Sequence, residues 1–416
     1  MRTGLVLNDT FFDALGSSTL PVEEAETLPP ECYTDDDFFN FEKEAVFDHE
    51  WLCLGREDWV PNKGDYFTTS IVGEPVIIAR NREGQLKAMS AVCQHRAMLV
   101  AEGSGNTRGF VCPYHHWTYD LDGNLVSAPA TKSTKGFDKS QFCLPTLKVE
   151  VWHGFIFVNF DQQAAPLAPR LNALKTELAP YDMATAEGEM PQPGPRYPWN
   201  WKVMFENNND GYHASKLHQG PLHDFVPSER AWFPDNLPED TAGYYRTNGT
   251  LHQDASFNIT QKALFKIFPN LSEEERGRMV FANIPPTLSL INTADMIIYL
   301  IVRADGPETH YMDTGVLFAP GASKDPGFRQ KLSMSMTGAE EIMAQDQHVD
   351  ELVQVGLRSR YAPRGRYSWQ EGAQQAFNCW LVPRYQQTWQ KLKRRGGSTG
   401  PRTAVTAAVN GAGAHV

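Results

Sequence analysis

The spacing of apolar and polar residues divides the chain into segments of different texture. Residues 21–30, Pro-Val-Glu-Glu-Ala-Glu-Thr-Leu-Pro-Pro, carry no apolar period and read as an acidic, proline-rich arm. Thr34 then stands as an N-cap for a helix whose Phe38, Phe41 and Ala45 fall at helical spacing. From about residue 66 to 160 the texture shortens to strands. Val76–Ala79 and Leu86–Met89 flank the turn Asn81-Arg82-Glu83-Gly84. Leu147, Val149 and Val151 alternate with other residues, and His153-Gly154 turns the chain into Phe155–Val158. This pattern predicts a compact all-β unit.

Gln162–Arg170, with two prolines and three alanines, reads as a linker, and Leu171, Leu174 and Leu178 mark a short helix beyond it. A helix is expected over about 200–215, with strand-like runs at 287–303 and 308–318. A capping box, Thr337-Gly338-Ala339-Glu340, opens a long helix. The last 21 residues, from Gly396, are Gly, Ala, Ser and Thr without period and are expected to be disordered.

Composition bounds this picture without naming a function. The 416 residues suggest two or three domains, and 41% apolar with 21% charged residues fits an ordinary globular protein. The net charge of 38 − 50 = −12 argues against nucleic acid or an anionic membrane as the main partner. No run of 18 apolar residues occurs, and Met1–Asp9 holds too short an apolar stretch for a signal peptide. The cytoplasm is the expected location. Six cysteines in this length do not make a disulfide framework.

The chemistry lies in how cysteine and histidine are spaced. Cys93-Gln94-His95 is followed after 16 residues by Cys112-Pro113-Tyr114-His115. Two thiolates and two imidazoles can hold zinc, or a [2Fe–2S] cluster in which imidazoles replace two thiolates on one iron. Loops of a β unit, the alternating Cys-His order and the neighbours Met98, Tyr114 and Trp117 favour the cluster. A second signal lies in the long helix, where Ile342, Asp346, Val349, Val353 and Leu357 follow at spacings of 4, 3, 4 and 4. Asp346 thus sits inside an apolar stripe, where a carboxylate needs a metal or an ion pair with an arginine such as Arg358 or Arg360.

The stretch Cys112–Leu125 resembles the second cluster-binding box of the Rieske family, and more narrowly the α-subunits of ring-hydroxylating non-haem iron oxygenases. Ala97 and His116 stand where that family usually has glycine. His116 also leaves a Cys112-x-x-x-His116 register open, although the match favours His115. Asn200-Trp201-Lys202, then Asp210-Gly211-Tyr212-His213 with His218, is similar to the family's D-x-Y-H-x-x-x-x-H pattern. The resemblance implies His213, His218 and Asp346 as Fe(II) ligands, with Gln354–Ser359 matching the segment after the aspartate. Five residues advance a regular helix by about 500°, so both rings reach one metal only if the helix ends or bulges between them. Glu206 stands where the family often has asparagine, with Asn207 beside it.

The resemblance further implies an α+β protein: an all-β Rieske domain (51–165) and a helix-grip catalytic domain (166–395), an antiparallel sheet wrapped over helices. Residues 1–50 would pack on the catalytic domain, leaving 396–416 as a tail. It implies a homotrimer, or a hetero-oligomer with a β subunit, with Asp210 bridging one subunit's cluster ligand His115 and the next subunit's His213. A separate reductase, and a ferredoxin in some systems, would supply electrons, because no C-x4-C-x2-C box or dinucleotide fingerprint occurs. Gly103–Gly109 reads as a turn instead. The expected function is a terminal oxygenase using O2 on an organic small molecule. Asp210, where several quaternary-amine members have glutamate, tilts the substrate toward an aromatic ring. Oxidation or demethylation of choline, betaine or carnitine is the alternative, and a Rieske electron carrier without oxygenase activity is the reading of another class.

Overall fold

The computed structural model describes residues 7–220, 222–234 and 237–396. The expected tail therefore lies outside the described residues, apart from Gly396, and so do the first six residues.

Three short helices open the chain: α1 (Asp9–Ala14), α2 (Glu31–Thr34) and α3 (Asp36–Glu42). The cap of α3 is Asp35 rather than Thr34, because the Asp35 carboxylate accepts the Phe38 N–H at 3.0 Å. The Thr34 hydroxyl instead donates back to Pro30 O. Phe38, Phe41 and Ala45 are buried as their spacing requires. The proline-rich arm is tied down, with Ala25 and Leu28 buried and the Thr27 N–H donating to Gly365 O.

The all-β unit holds β1 (Leu52–Arg56), β2 (Asp65–Ile71), β3 (Glu74–Arg80), β4 (Leu86–Ser90), β5 (Ser104–Asn106), β6 (Phe110–Val111), β7 (Thr118–Tyr119), β8 (Leu125–Ser127), β9 (Thr146–Trp152) and β10 (Phe155–Asn159). One sheet runs β1-β10-β9-β4-β3-β2-β5, and a small sheet β6-β7-β8 sits beside it. The glycine-rich Gly103–Gly109 segment is more than a turn, since β5 pairs with β2. The linker carries one turn of helix, α4 (Leu167–Arg170), before α5 (Asn172–Leu178).

A second sheet follows, with β11 (Arg196–Tyr197) preceding α6 (Trp201–Asn209) and α7 (Gly211–Ala214). Its other strands are β12 (Ala231–Trp232), β13 (Tyr244–Gly249), β14 (Arg278–Ile284), β15 (Leu288–Asn292), β16 (Met296–Gly306) and β17 (Thr309–Phe318). Helices α8 (Phe328–Leu357) and α9 (Gly372–Gly396) complete the chain. The sheet is antiparallel in the order β11-β17-β16-β15-β14-β13-β12. The run at 287–303 is two strands, because the Thr293 hydroxyl and the Asp295 carboxylate close a tight turn between them. Both faces of β16 are buried, which explains its unbroken apolar run. Ile298 and Leu300 face the core beneath α6 and α9, while Ile297, Tyr299 and Ile301 face the core shared with β1 and β10. Gly315 lies opposite Tyr299, where a Cβ would fall 2.0 Å from the ring.

Helix α8 starts nine residues before the expected capping box. Gly327 leads into it, with its N–H on the Asp325 carboxylate, and the Thr337 hydroxyl is spent on Ser333 O inside the helix. The buried face of α8 carries Ser335, Ala339, Asp350 and Gln354. Val353, placed in the stripe by spacing, is 42% exposed.

Candidate metal centres and active-site cavity

The loops after β4 and β6 are built alike. The Ala97 N–H donates to Cys93 O, and the His116 N–H to Cys112 O. The Cys93 N–H donates to Met98 O, and the Cys112 N–H to Trp117 O. Each loop closes with a left-handed residue, Ala97 at φ 57° and His116 at φ 56°. These are the positions where glycine is the unstrained choice. Cys93 and Cys112 are buried, while His95 and His115 reach the surface. The rings of His95 and His115 meet edge to face, with centroids 4.6 Å apart, and His95 stacks on the buried Trp117. Tyr114 and Met98 are exposed.

Tyr119 was not anticipated. Its hydroxyl accepts the Gln94 N–H at 3.0 Å and lies within hydrogen-bonding distance of Cys93 Sγ, at 3.4 Å. All six cysteines are free thiols. Two buried sulfurs backed by a hydroxyl, with two paired imidazoles outside them, suit a cluster with one thiolate iron and one imidazole iron.

The second cluster forms where the 200–215 helix breaks. Asp210 adopts φ −80°, ψ 106° and caps α7, accepting the N–H groups of Tyr212 and His213. Helix α7 ends at Ala214, so His218 returns on a turn and the two rings converge. His213 Nε2 and His218 Nε2 lie 3.1 Å apart. Asp346 Oδ1 stands 2.8 Å from His218 Nε2 and 3.4 Å from His213 Nε2. The three donor atoms lie within 4.8 Å of one another. Arg358, the alternative partner for Asp346, pairs with Glu308. His223 contacts Ser228 and Glu229, and so packs its own loop.

The surrounding groups set orientation and charge. The Asp210 carboxylate holds His213 Nδ1 at 3.0 Å, and Gln345 Oε1 holds His218 Nδ1 at 2.7 Å. The Asn207 amide donates to Asp346 and to Asp350. Burial disfavours a charged His213, but Asp210 and Asp346 outweigh it and raise the imidazole to about 9. Burial likewise opposes an ionised Asp346, yet the two imidazoles bring it below its usual range. Burial and the neighbouring Asp346 push Asp350 up to about 8. A two-imidazole, one-carboxylate set in a pocket that draws in positive charge fits a divalent iron with positions left open.

Asp350 and Gln345 escaped sequence reading, although Asp350 lies one turn beyond Asp346 on the same helix. Asn207 and Glu206 exchange the roles their positions suggest. Asn207 reaches the cluster, while Glu206 is buried against Tyr33, whose hydroxyl donates to it at 2.5 Å. Burial raises Glu206 to about 7.

A cavity of about 90 Å³ opens beside the cluster of His213, His218 and Asp346. Its wall is mostly apolar, with Trp199, Phe257, Phe281, Ile298, Leu300 and Met312 among its lining. Arg246 also lines it, a position with no sequence signal. Burial lowers its guanidinium to about 10, against the pull of Asp210.

A β unit with paired Cys-His loops, joined to an antiparallel sheet that grips helices around a two-histidine, one-aspartate cluster, defines the catalytic subunits of Rieske-type iron oxygenases. The chain belongs to the ring-hydroxylating α-subunit family: the family described as "Ring hydroxylating alpha subunit (catalytic domain)" matches residues 179–387, and the "Rieske [2Fe-2S] domain" matches residues 50–146. The oxygenase subunit of carnitine monooxygenase from Escherichia coli is 34% identical over 216 residues, 50% of this chain and 56% of that protein. The chain thus spans little more than half of that relative. Chloroplastic choline monooxygenase from Arabidopsis thaliana is 26% identical over 380 residues, 87% of this chain and 83% of the relative. A solved quaternary ammonium Rieske monooxygenase shares the fold, with a TM-score of 0.76 at 23% identity over 92% of this chain and all of that one. These relatives are carnitine and choline monooxygenases, which supports the quaternary-amine alternative better than the expected aromatic ring. The tilt rested on one residue, Asp210, whereas the similarity to the named relatives runs along hundreds. Among the described residues no helix is long and apolar enough to cross a membrane.

Proposed function

We propose that this protein is a terminal oxygenase component that oxidises a quaternary amine with O2, drawing electrons from a separate reductase. The observation that carries the oxygenase reading is the convergence of His213, His218 and Asp346 beside a largely apolar cavity. A bare Rieske carrier has no use for that second cluster or for the catalytic domain around it. The similarity to carnitine and choline monooxygenases carries the substrate class.

In this reading Cys93, His95, Cys112 and His115 hold the [2Fe–2S] cluster, and His213, His218 and Asp346 hold the iron. Iron with open positions supplies the place where O2 is activated, and the cluster supplies electrons. The chain's own residues do the rest. Asp210 and Gln345 each occupy the Nδ1 of one imidazole, which leaves both Nε2 atoms directed at a single point. Asn207 steadies Asp346. The wall is largely apolar, and Trp199 and Phe257 bring aromatic rings that suit a quaternary ammonium group. Asp210 is 20% exposed at its side chain and suits a bridge to His115 of the partner subunit in a trimer.

The test is an assay of reconstituted enzyme with a reductase and a panel of choline, glycine betaine, carnitine and simple arenes, with products read by mass. A hydroxylated or cleaved quaternary amine is expected. Two oxygens added to an arene, with the amines untouched, would overturn the substrate class.

A further inference from the structure

Among the described residues no carboxylate makes an ion-pair contact with Arg246, and Asp210 acts on it only from farther away. Arg246 is 4% exposed, on β13, and lines the same cavity as His213, His218 and Asp346. Its guanidinium carbon sits over Phe281, 3.7 Å from the ring centroid, and Nη1 donates to Asn248 Oδ1. Its Nε is buried and has no hydrogen-bond partner. Among the described residues no carboxylate oxygen comes within 4.0 Å of the guanidinium. A Cβ on Gly211, at the start of α7, would fall 3.9 Å from Nη1, so the arginine reaches the turn that carries His213. A buried, unpaired guanidinium is costly unless an anion meets it. Stacking and the Asn248 bond hold it in place, ready for one.

We propose that Arg246 anchors a carboxylate on the substrate, so that the substrate is a quaternary ammonium carboxylate rather than an amino alcohol. This rests on the cavity being the substrate cavity of a quaternary-amine oxygenase. In glycine betaine one methylene separates the two charges, so with the carboxylate on Arg246 the ammonium group lies close by, toward the turn that carries His213 and its cluster with His218 and Asp346.

The test is equilibrium binding to the oxidised holoenzyme, by calorimetry, of two matched pairs: glycine betaine against choline, and benzoate against benzyl alcohol. Wild-type protein is expected to favour the carboxylate of whichever pair binds by about tenfold or more, the scale of a charge-assisted hydrogen bond. Arg246→Met should abolish that preference and Arg246→Lys should keep part of it, with the cluster's visible spectrum confirming that each variant is folded. Equal binding of glycine betaine and choline to wild type overturns the proposal and leaves the amine reading standing. Binding of benzoate alone, lost in Arg246→Met, overturns the amine reading and leaves the arginine anchor standing. A variant that slows turnover equally for both members of a pair, with the binding ratio unchanged, assigns Arg246 to Asp210 and overturns the anchor.

Discussion

The carboxylate of Asp210 meets the Nδ1 of His213 at 3.0 Å while it also caps the helix that carries that histidine. One side chain therefore sets both the backbone break and the ring orientation. Replacing Asp210 with alanine should leave both metals bound, because neither set of ligating atoms includes it. Product formed per electron supplied should fall by about 100-fold, the upper range for losing a group that orients a metal-bound histidine. Iron content, the cluster spectrum and single-turnover product yield check this. Wild-type product yield in the variant would remove Asp210 from the electron route.

Gln345 stands in the corresponding place behind His218, with Oε1 2.7 Å from Nδ1. An amide oxygen there accepts the Nδ1 proton and fixes the tautomer that leaves Nε2 free for a metal. Gln345→Leu removes the acceptor at similar volume. Iron affinity should drop by about 10-fold or more, while the cluster is unaffected. Iron retained against a chelator, with cluster absorption as the internal control, measures it. Undiminished retention would show that packing alone orients the ring.

How much of this was legible in the sequence follows from how local each determinant is. Cys93, His95, Cys112 and His115 are bound to short loops, so spacing alone predicted their neighbourhood. The hairpin at 76–89 was legible for the same reason. The break at Asp210 depends on a side chain competing with the helix for backbone N–H groups, and apolar period is blind to it. The start of α8 was misplaced because Thr337 carries the letters of a cap but spends its hydroxyl inside the helix. Arg246 had no signal at all, and Glu206 showed only as a departure from the family's asparagine. Their meaning comes from strands and helices far away in sequence, Phe281 for one and Tyr33 for the other.

Glu206 makes stability depend on pH. Its carboxyl is raised by burial to about 7 from an ordinary 4.5, despite the Tyr33 hydroxyl and the Lys202 charge. The folded protein holds this proton where the unfolded chain releases it. The contribution is complete below pH 4.5 and is lost as pH rises through 7, a total loss of roughly 3 kcal/mol. Glu206→Gln keeps the shape and removes the ionisation. Unfolding by denaturant at pH 5 and pH 8 should show the variant gaining on wild type as pH rises. A constant difference between the two proteins would refute the raised carboxyl.

Lys202 and Glu42 form an ion pair with both side chains fully buried, Nζ to Oε1 at 2.7 Å. The Trp201 indole N–H and the Tyr385 hydroxyl donate to the same carboxylate. This pair joins α3 to α6, the helix that ends at Asp210. Lys202→Met leaves Glu42 charged or protonated in a dry core and should cost about 3–5 kcal/mol. Adding Glu42→Gln removes the stranded charge; its amide oxygen still accepts the Trp201 indole N–H and its N–H can donate to the Tyr385 hydroxyl oxygen, so the double variant should recover most of that loss. Denaturant midpoints of the four proteins in the cycle give the coupling directly. If the double variant is no more stable than Lys202→Met alone, the loss comes from packing around the lysine stem, which passes near Tyr33 and Phe38, rather than from the unpaired charge.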